Sequence, residues 1–222
     1  MTSTRSDQTE ARATQTRRLG RPKDPEKRAA ILTAAKDLFV AHGYEATSME
    51  AVADAAGVSK LTLYSHFGDK QGLFRESVRL VGDGYLPHDV FTSRGRLGLR
   101  RHLERVARAF IALVTSPESI AATRMLATDP ALASEIGPIF FEAGPARVRR
   151  ECAAMLADID LRGELAIPDP NRAAQHLLVL LKGELLDWAV WGCGRGAVEP
   201  DIERHIESVL DLFMAAYRAH GR

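Results

Sequence analysis

The chain has 222 residues, a hydrophobic fraction of 45%, a charged fraction of 27% and a formal net charge of +1. These are the values of a soluble globular protein with one or two small domains and a real core. A nearly neutral body excludes nucleic-acid binding through a globally basic surface, so any such binding has to rest on local positive potential. Cys152 and Cys193 stand far apart in no metal or redox spacing, which fits a reduced cytosolic setting and leaves a bridge between them open. No stretch is long and apolar enough to span a membrane, and the first residues lack the apolar core of a signal peptide.

Residues 1 to 16 are polar and without periodicity, the pattern of a disordered segment. Arg17, Arg18, Arg21 and Lys23 then cluster around Gly20 and Pro22. They read either as a flexible arm lying along DNA and entering its minor groove, or as a solubilising tail. Asp24-Pro25 opens a helix, with Asp as N-cap and Pro at the first helical position. Ile31, Leu32, Ala35, Leu38 and Phe39 form its apolar stripe, and Gly43 ends it.

Thr47 and Glu50 have the spacing of a capping box, and Met49, Val52, Ala53 and Ala56 follow at helical spacing. Gly57 supplies the turn, Ser59 caps the next helix, and Leu63 and Phe67 lie one turn apart on its inner side. Helix, glycine-containing turn and helix together make a helix-turn-helix signature. With Leu63 and Phe67 facing inward, Leu61 and Ser65 point outward, flanked by Thr62 and Tyr64. Lys60 reaches from the first turn and His66 lies at the edge. Hydroxyls, a Lys and an imidazole without a carboxylate suit a phosphate-lined major groove, and Leu61 can pack on a thymine methyl. Ser48 joins this DNA-facing set at the start of the first of the two helices. Asp69 caps a further helix carrying Leu73, Phe74, Val78 and Val81. At its start Lys70 and the free backbone N–H groups would face an incoming phosphate.

Gly57-Val-Ser-Lys-Leu-Thr-Leu-Tyr-Ser-His-Phe-Gly-Asp-Lys-Gln-Gly-Leu-Phe74 resembles the signature of TetR-type transcriptional regulators. The segment from Ile31 to Met49 is similar to the same family's first helix and loop, and the resemblance is strong from about Arg21 to Val81. The remainder resembles the AefR-type branch more loosely, through Glu142-Ala-Gly-Pro-Ala-Arg147. Leu61 departs from the small residue that the family often carries at that position. The resemblance implies phosphate contacts from Thr47, Tyr64, His66 and Lys70 and groove contacts from Lys60 and Thr62. It further implies a homodimer, repression and release by a small-molecule effector.

Gly82, Gly84 and Pro87 break the helical pattern, so residues from about Tyr85 to Gly95 read as a linker. From Arg96 onward the periodicity is helical throughout. Leu99, Leu103, Val106, Phe110 and Leu113 form one stripe, and a short helix follows Pro117. A long helix from Asp129-Pro130 to about Leu156 should kink or split at Gly137-Pro138 and Gly144-Pro145. Asp169-Pro170 starts an apolar helix running to Trp191, and a last helix follows Pro200. Gly192 to Gly196 reads as a turn, because it follows a helix and lacks a phosphate-loop Lys. Glu184 and Asp187 share a helix, but no nucleophile or metal spacing accompanies them, so no catalytic role is assigned.

These readings give an all-α chain of about nine helices. Residues 1–23 form an arm, 24–84 a three-helix helix-turn-helix domain, and 85–222 a helical bundle for ligand binding and dimerisation. Phe110, Met125, Ile139, Phe140, Leu177 and Trp188 are either plain core or the wall of an apolar cavity, with Arg124 as a possible anchor for an acid group. Trp191, Ile206, Leu210, Phe213, Met214 and Tyr217 are either core or a four-helix dimer interface. The resemblance favours the dimer. The expected protein is a cytoplasmic, dimeric repressor of a palindromic operator, released by a small hydrophobic effector, with no cofactor, metal or membrane partner. The alternatives are a regulator without a small-molecule effector, controlled by a protein partner or acting as an activator, an enzyme that contains a helix-turn-helix, and a redox switch through Cys152 or Cys193.

Overall fold

The computed structural model of the chain describes residues 24–92, 97–193 and 201–219. The basic arm with Arg17, Arg18, Arg21 and Lys23, the end of the Gly192–Gly196 turn and the last part of the 85–95 linker lie outside the described residues. The described residues form twelve helices and no strand, with a single antiparallel bridge between Leu165 and Arg218. The fold is all-α.

Helix α1 (Pro25–Ala46) opens as the sequence dictates, the Asp24 carboxylate accepting the N–H groups of Glu26 and Lys27. Gly43 leaves helical geometry at φ +79°, so the regular helix ends there and one more turn follows. Helix α2 (Met49–Ala55) is capped by Ser48, whose Oγ accepts the Ala51 N–H at 3.0 Å. The expected capping box of Thr47 and Glu50 is not formed. Thr47 is buried and its hydroxyl donates to the Gly43 carbonyl at 2.8 Å, so the cap passes to the next hydroxyl along. Ser59 caps α3 (Lys60–Phe67), and Asp69 caps α4 (Lys70–Tyr85) by accepting the Gly72 N–H at 2.7 Å.

The expected nine helices become twelve for three local reasons. The linker winds a turn, α5 (His88–Thr92), because Phe91 finds a buried seat. The long middle helix splits at Gly144 into α8 (Pro130–Ala143) and α9 (Pro145–Leu161), while Pro138 stays inside α8. The apolar helix after Asp169 breaks at Gly183, at φ +45°, into α10 (Pro170–Lys182) and α11 (Leu185–Trp191). Helices α6 (Leu99–Val114), α7 (Pro117–Thr128) and α12 (Ile202–Ala216) complete the order.

Two cores result. One gathers Ile31, Leu32, Val52, Leu63, Leu73 and Phe74 of α1–α4, together with Leu132 and Ile136 of α8. The other is built on α6, α9, α10 and α12, with Leu86 and Phe91 feeding into it from the linker side. Helix α8 therefore packs inside the helix-turn-helix core although it is far away in sequence. An ion pair and a hydrogen bond reinforce this junction. Arg147 of α9 reaches Asp83 of α4 at 2.5 Å, and Gln71 of α4 donates to Glu135 of α8 at 3.1 Å.

Candidate nucleic-acid interface and cavity

Helix α3 buries Leu63 and Phe67 against α1, α2 and α4, which fixes its opposite face outward. Leu61 is 81% exposed and Tyr64 44% exposed, so this short helix offers water two large partly or wholly apolar groups that no internal contact requires. The hydroxyls around them are organised. Ser59 Oγ and Thr62 Oγ1 lie 2.9 Å apart, and Ser65 Oγ donates to the Thr62 carbonyl at 2.8 Å. Ser48, Lys60 and Ser65 are exposed, whereas Thr62 and Lys70 are half-buried, and His66 sits with its ring 5.9 Å from that of Phe67. Gly72 packs so tightly behind α3 that a Cβ there would lie 2.2 Å from the Phe67 carbonyl oxygen.

Three side chains differ from their expected placement. Thr47 is buried, so its side chain is not presented to a phosphate; Ser48 is the exposed hydroxyl at this corner. Lys60 does not stand alone. Its Nζ lies 2.8 Å from Glu50 Oε1, and this hydrogen bond and charge lower the carboxyl's pKa and raise that of the ammonium. Lys70 folds back, with Nζ donating to the Glu45 carbonyl at 3.2 Å and lying 4.3 Å from the centre of the Tyr44 ring. Tyr44 is itself buried between Phe39 and Phe74, which pushes its phenol up to about 12.

A cavity of about 430 Å³ lies between the two cores. Its wall includes Phe39 and Val40 of α1, Phe74 and Val78 of α4, Phe110 of α6, Met125 of α7 and Phe140 of α8, with α9 and α10 closing the other side. Phe110, Met125 and Phe140 line it as expected. The other expected wall residues do not. Leu177 is packed into the larger core, and Ile139 packs on the helix-turn-helix core. Trp188 is not part of the wall, although Leu186 of the same helix α11 is. Arg124 is no acid anchor here, because its guanidinium donates to the carbonyls of Val190 and Ala189 at the end of α11. The walls from α1 and α4 are hard to read in the sequence, since Phe39 and Phe74 share a stripe with ordinary core residues. Met125 links cavity and interface: its sulfur accepts the backbone N–H of Tyr44 at 3.2 Å.

The last helix also corrects the expectation for a partner face. Ile206, Leu210 and Phe213 are buried in the chain's own core. Met214 and Tyr217 pack against it, and the Tyr217 hydroxyl meets His176 at 3.2 Å. Trp191 is 75% exposed, and Val179 and Leu180 of α10 and Ile202 and Leu212 of α12 are exposed apolar side chains as well. Cys152 is buried, which pushes its thiol up to about 12, while Cys193 is exposed; neither is bridged. Among the described residues no group of His, Cys, Asp and Glu could hold a metal ion, and no helix is long and apolar enough to cross a membrane.

A capped recognition helix set on a three-helix frame, joined to a larger helical bundle, defines a helix-turn-helix transcriptional regulator. The chain belongs to the TetR family. The N-terminal domain of the bacterial regulatory proteins of that family matches residues 31–77, and the C-terminal domain of AefR-like transcriptional repressors matches residues 101–219. A crystal structure of a TetR-family transcriptional regulator from Mesorhizobium loti is similar over 89% of this chain and 98% of its own, at 29% identity and a TM-score of 0.72. The flavonoid-responsive regulator FrrA is similar over 89% of this chain and all of its own, at 30% identity and a TM-score of 0.66. Among curated relatives, the transcriptional activator FasR of Mycolicibacterium smegmatis is 49% identical over 53 residues, and the repressor ComR of Escherichia coli 50% identical over 56. These stretches cover 24% of this chain and of FasR, and 25% of this chain against 26% of ComR. The chain thus aligns with about a quarter of each of these relatives.

Proposed function

We propose that this regulator works in the cytoplasm as a homodimer that represses transcription from a palindromic operator and leaves it when a small apolar effector enters the cavity. The observation that carries this reading is the cavity's position. Helices α1 and α4, which brace the recognition helix, supply part of its wall. A ligand there touches the DNA-binding frame directly, and it shifts the equilibrium only if it favours one arrangement of that frame over the other. Ser48, Lys60, Leu61, Thr62, Tyr64, Ser65, His66 and Lys70 form the DNA-facing set, with Arg21 in the arm. Residues 24–84 act as the DNA-binding unit and 85–222 as the effector and dimer unit, with α8 crossing between them.

The dimer face in this reading is built from the exposed apolar side chains Leu180 of α10, Trp191 of α11 and Ile202 and Leu212 of α12. Pairing it with its copy sets the recognition helices about 34 Å apart, or a multiple of that distance, as a palindrome requires. Selection of bound fragments from the source genome at two salt concentrations tests the core of the proposal. A single palindromic motif is the expected result; random fragments lost together as salt rises would sink it.

Activation is the second reading, favoured by the similarity to FasR. Similar identities to an activator and to a repressor, over stretches of 53 and 56 residues, do not fix the direction of control. A reporter fused to the recovered operator, with and without the regulator, separates the two.

A further inference from the structure

The cavity is apolar in its body but not in its charge. Its wall carries four cationic side chains, Lys36, Arg147, Arg149 and Lys182, and a single carboxylate, Glu118. Two of the four cations are neutralised within the protein. Lys36 lies 3.1 Å from Asp37 and 3.5 Å from Glu118, and Arg147 is held by Asp83 and Glu151. Arg149 and Lys182 are different. Both are half-buried, and among the described residues neither has a carboxylate within ion-pair distance. Arg149 only approaches the ring of Phe141, at 5.8 Å.

These two cations stand on the two helices that close one side of the cavity. On α10, Gln175, Val179 and Lys182 follow at helical spacing along one face, and all three line the wall. On α9, Pro145 and Arg149 are one turn apart and line it too. Apart from Val40 of α1, the exposed lining residues are Phe141, Pro145, Gln175 and Val179, which places the main opening of the cavity between these segments. The buried part of the wall, by contrast, includes Phe39, Phe74 and Phe110. An apolar chamber with two unneutralised cations beside its mouth matches a molecule with an apolar body and a negative end. Half-buried cations of this kind form stronger hydrogen bonds to an anion than a neutral donor would.

We infer that the cavity selects an amphiphile with an anionic head group, with its apolar body against Phe39, Phe74 and Phe110 and its head held by Arg149 and Lys182. This inference rests on the effector reading above and narrows its ligand class. The cavity volume lies within the range of small-molecule sites, about 300–1,000 Å³.

The test compares two probes of equal chain length, dodecanoate and dodecanol, each titrated calorimetrically into the full-length protein below its aggregation concentration. Dodecanoate is expected to bind at least about tenfold more tightly, a preference of about 1.4 kcal/mol. In the double variant Arg149→Met, Lys182→Met this preference should fall to within about twofold, with dodecanol affinity unchanged as proof that the cavity is intact. Equal binding of the two probes by the unmodified protein overturns the head-group inference and leaves the effector reading standing. Retained preference in the double variant also overturns it. If neither probe binds, nor a neutral aromatic such as naphthalene, the effector reading itself fails and this inference with it.

Discussion

The sulfur of Met125 lies 3.2 Å from the backbone nitrogen of Tyr44 and accepts its N–H. Met125 lines the cavity, and the Tyr44 ring lies under the ammonium of Lys70 at the proposed DNA surface. One residue thus touches both the cavity and the frame of the helix-turn-helix. Replacing it with Leu keeps most of the wall's volume but leaves the Tyr44 N–H without its acceptor. Met125→Leu is expected to cost about 1 kcal/mol in stability, the low end for an unsatisfied buried group because sulfur is a weak acceptor. It should also reduce the effector's influence on operator binding several-fold, with affinity in the absence of effector nearly unchanged. Urea unfolding and operator titrations with and without effector check both parts.

The recognition face separates two kinds of contact. Tyr64→Ala and Lys70→Ala should weaken binding to all sequences alike, and loss of the Lys70 phosphate contact should lower the slope of log affinity against log salt by about 0.9. Leu61→Ala removes a side chain that is 81% exposed, so the fold should be unaffected. Its effect should fall on base preference at one operator position, by about 1 kcal/mol, the worth of roughly one buried methyl group. A uniform loss with unchanged preference would show that Leu61 does not meet a base edge.

Gly72→Ala tests the seat of the recognition helix. The added Cβ would meet the Phe67 carbonyl oxygen at 2.2 Å, a backbone atom that cannot simply swing aside. The start of α4 and the end of α3 must move apart, at a cost of about 1–3 kcal/mol. Operator binding should fall by more than stability alone explains, as read by titration well below the unfolding midpoint.

The proposed dimer face and the core beneath it should respond differently. Leu212→Glu places a charge on an exposed apolar side chain and is expected to yield a folded monomer with weakened operator binding. Ile206→Ala empties a fully buried site and should cost about 2–5 kcal/mol of stability. Sedimentation and chemical unfolding of both variants distinguish the roles; a Leu212→Glu protein that stays dimeric would show that the partner sits elsewhere.

The cysteines give a pH-dependent outcome. Burial raises the Cys152 thiol to about 12, so its reactive thiolate is absent at neutral and mildly alkaline pH and becomes populated only near that value. A thiol reagent at pH 8 should modify Cys193 alone in the folded protein and both cysteines after unfolding. Rapid modification of Cys152 in the folded protein would mean that its part of the core opens readily.

Much of this protein is legible in the order of its residues. The caps Asp24, Ser59, Asp69, Asp129 and Asp169 announce helix starts, because each places an acceptor beside N–H groups that the helix cannot satisfy. Leu63 and Phe67, four residues apart, fix which side of α3 faces out, and so Leu61 and Tyr64 emerge where periodicity puts them. These are local facts, decided by backbone hydrogen bonds and a repeat of 3.6 residues. Where the neighbouring signals were nearly equal, as between Thr47 and Ser48, burial of one hydroxyl chose the cap.

Tertiary structure alone decided the rest. An apolar stripe says that a side chain is covered but not by what, so Ile206, Leu210 and Phe213 read equally well as core or as interface until α6 and α10 packed over them. The same limit hid the cavity's walls, which come from α1, α4, α6, α7, α8, α9, α10 and α11 at once. It also hid which cations are neutralised. Lys60 found Glu50 and Arg147 found Asp83 across helices, whereas Arg149 and Lys182 found no carboxylate among the described residues. Charge balance and cavity shape are properties of what packing brings together, and sequence periodicity carries no term for either.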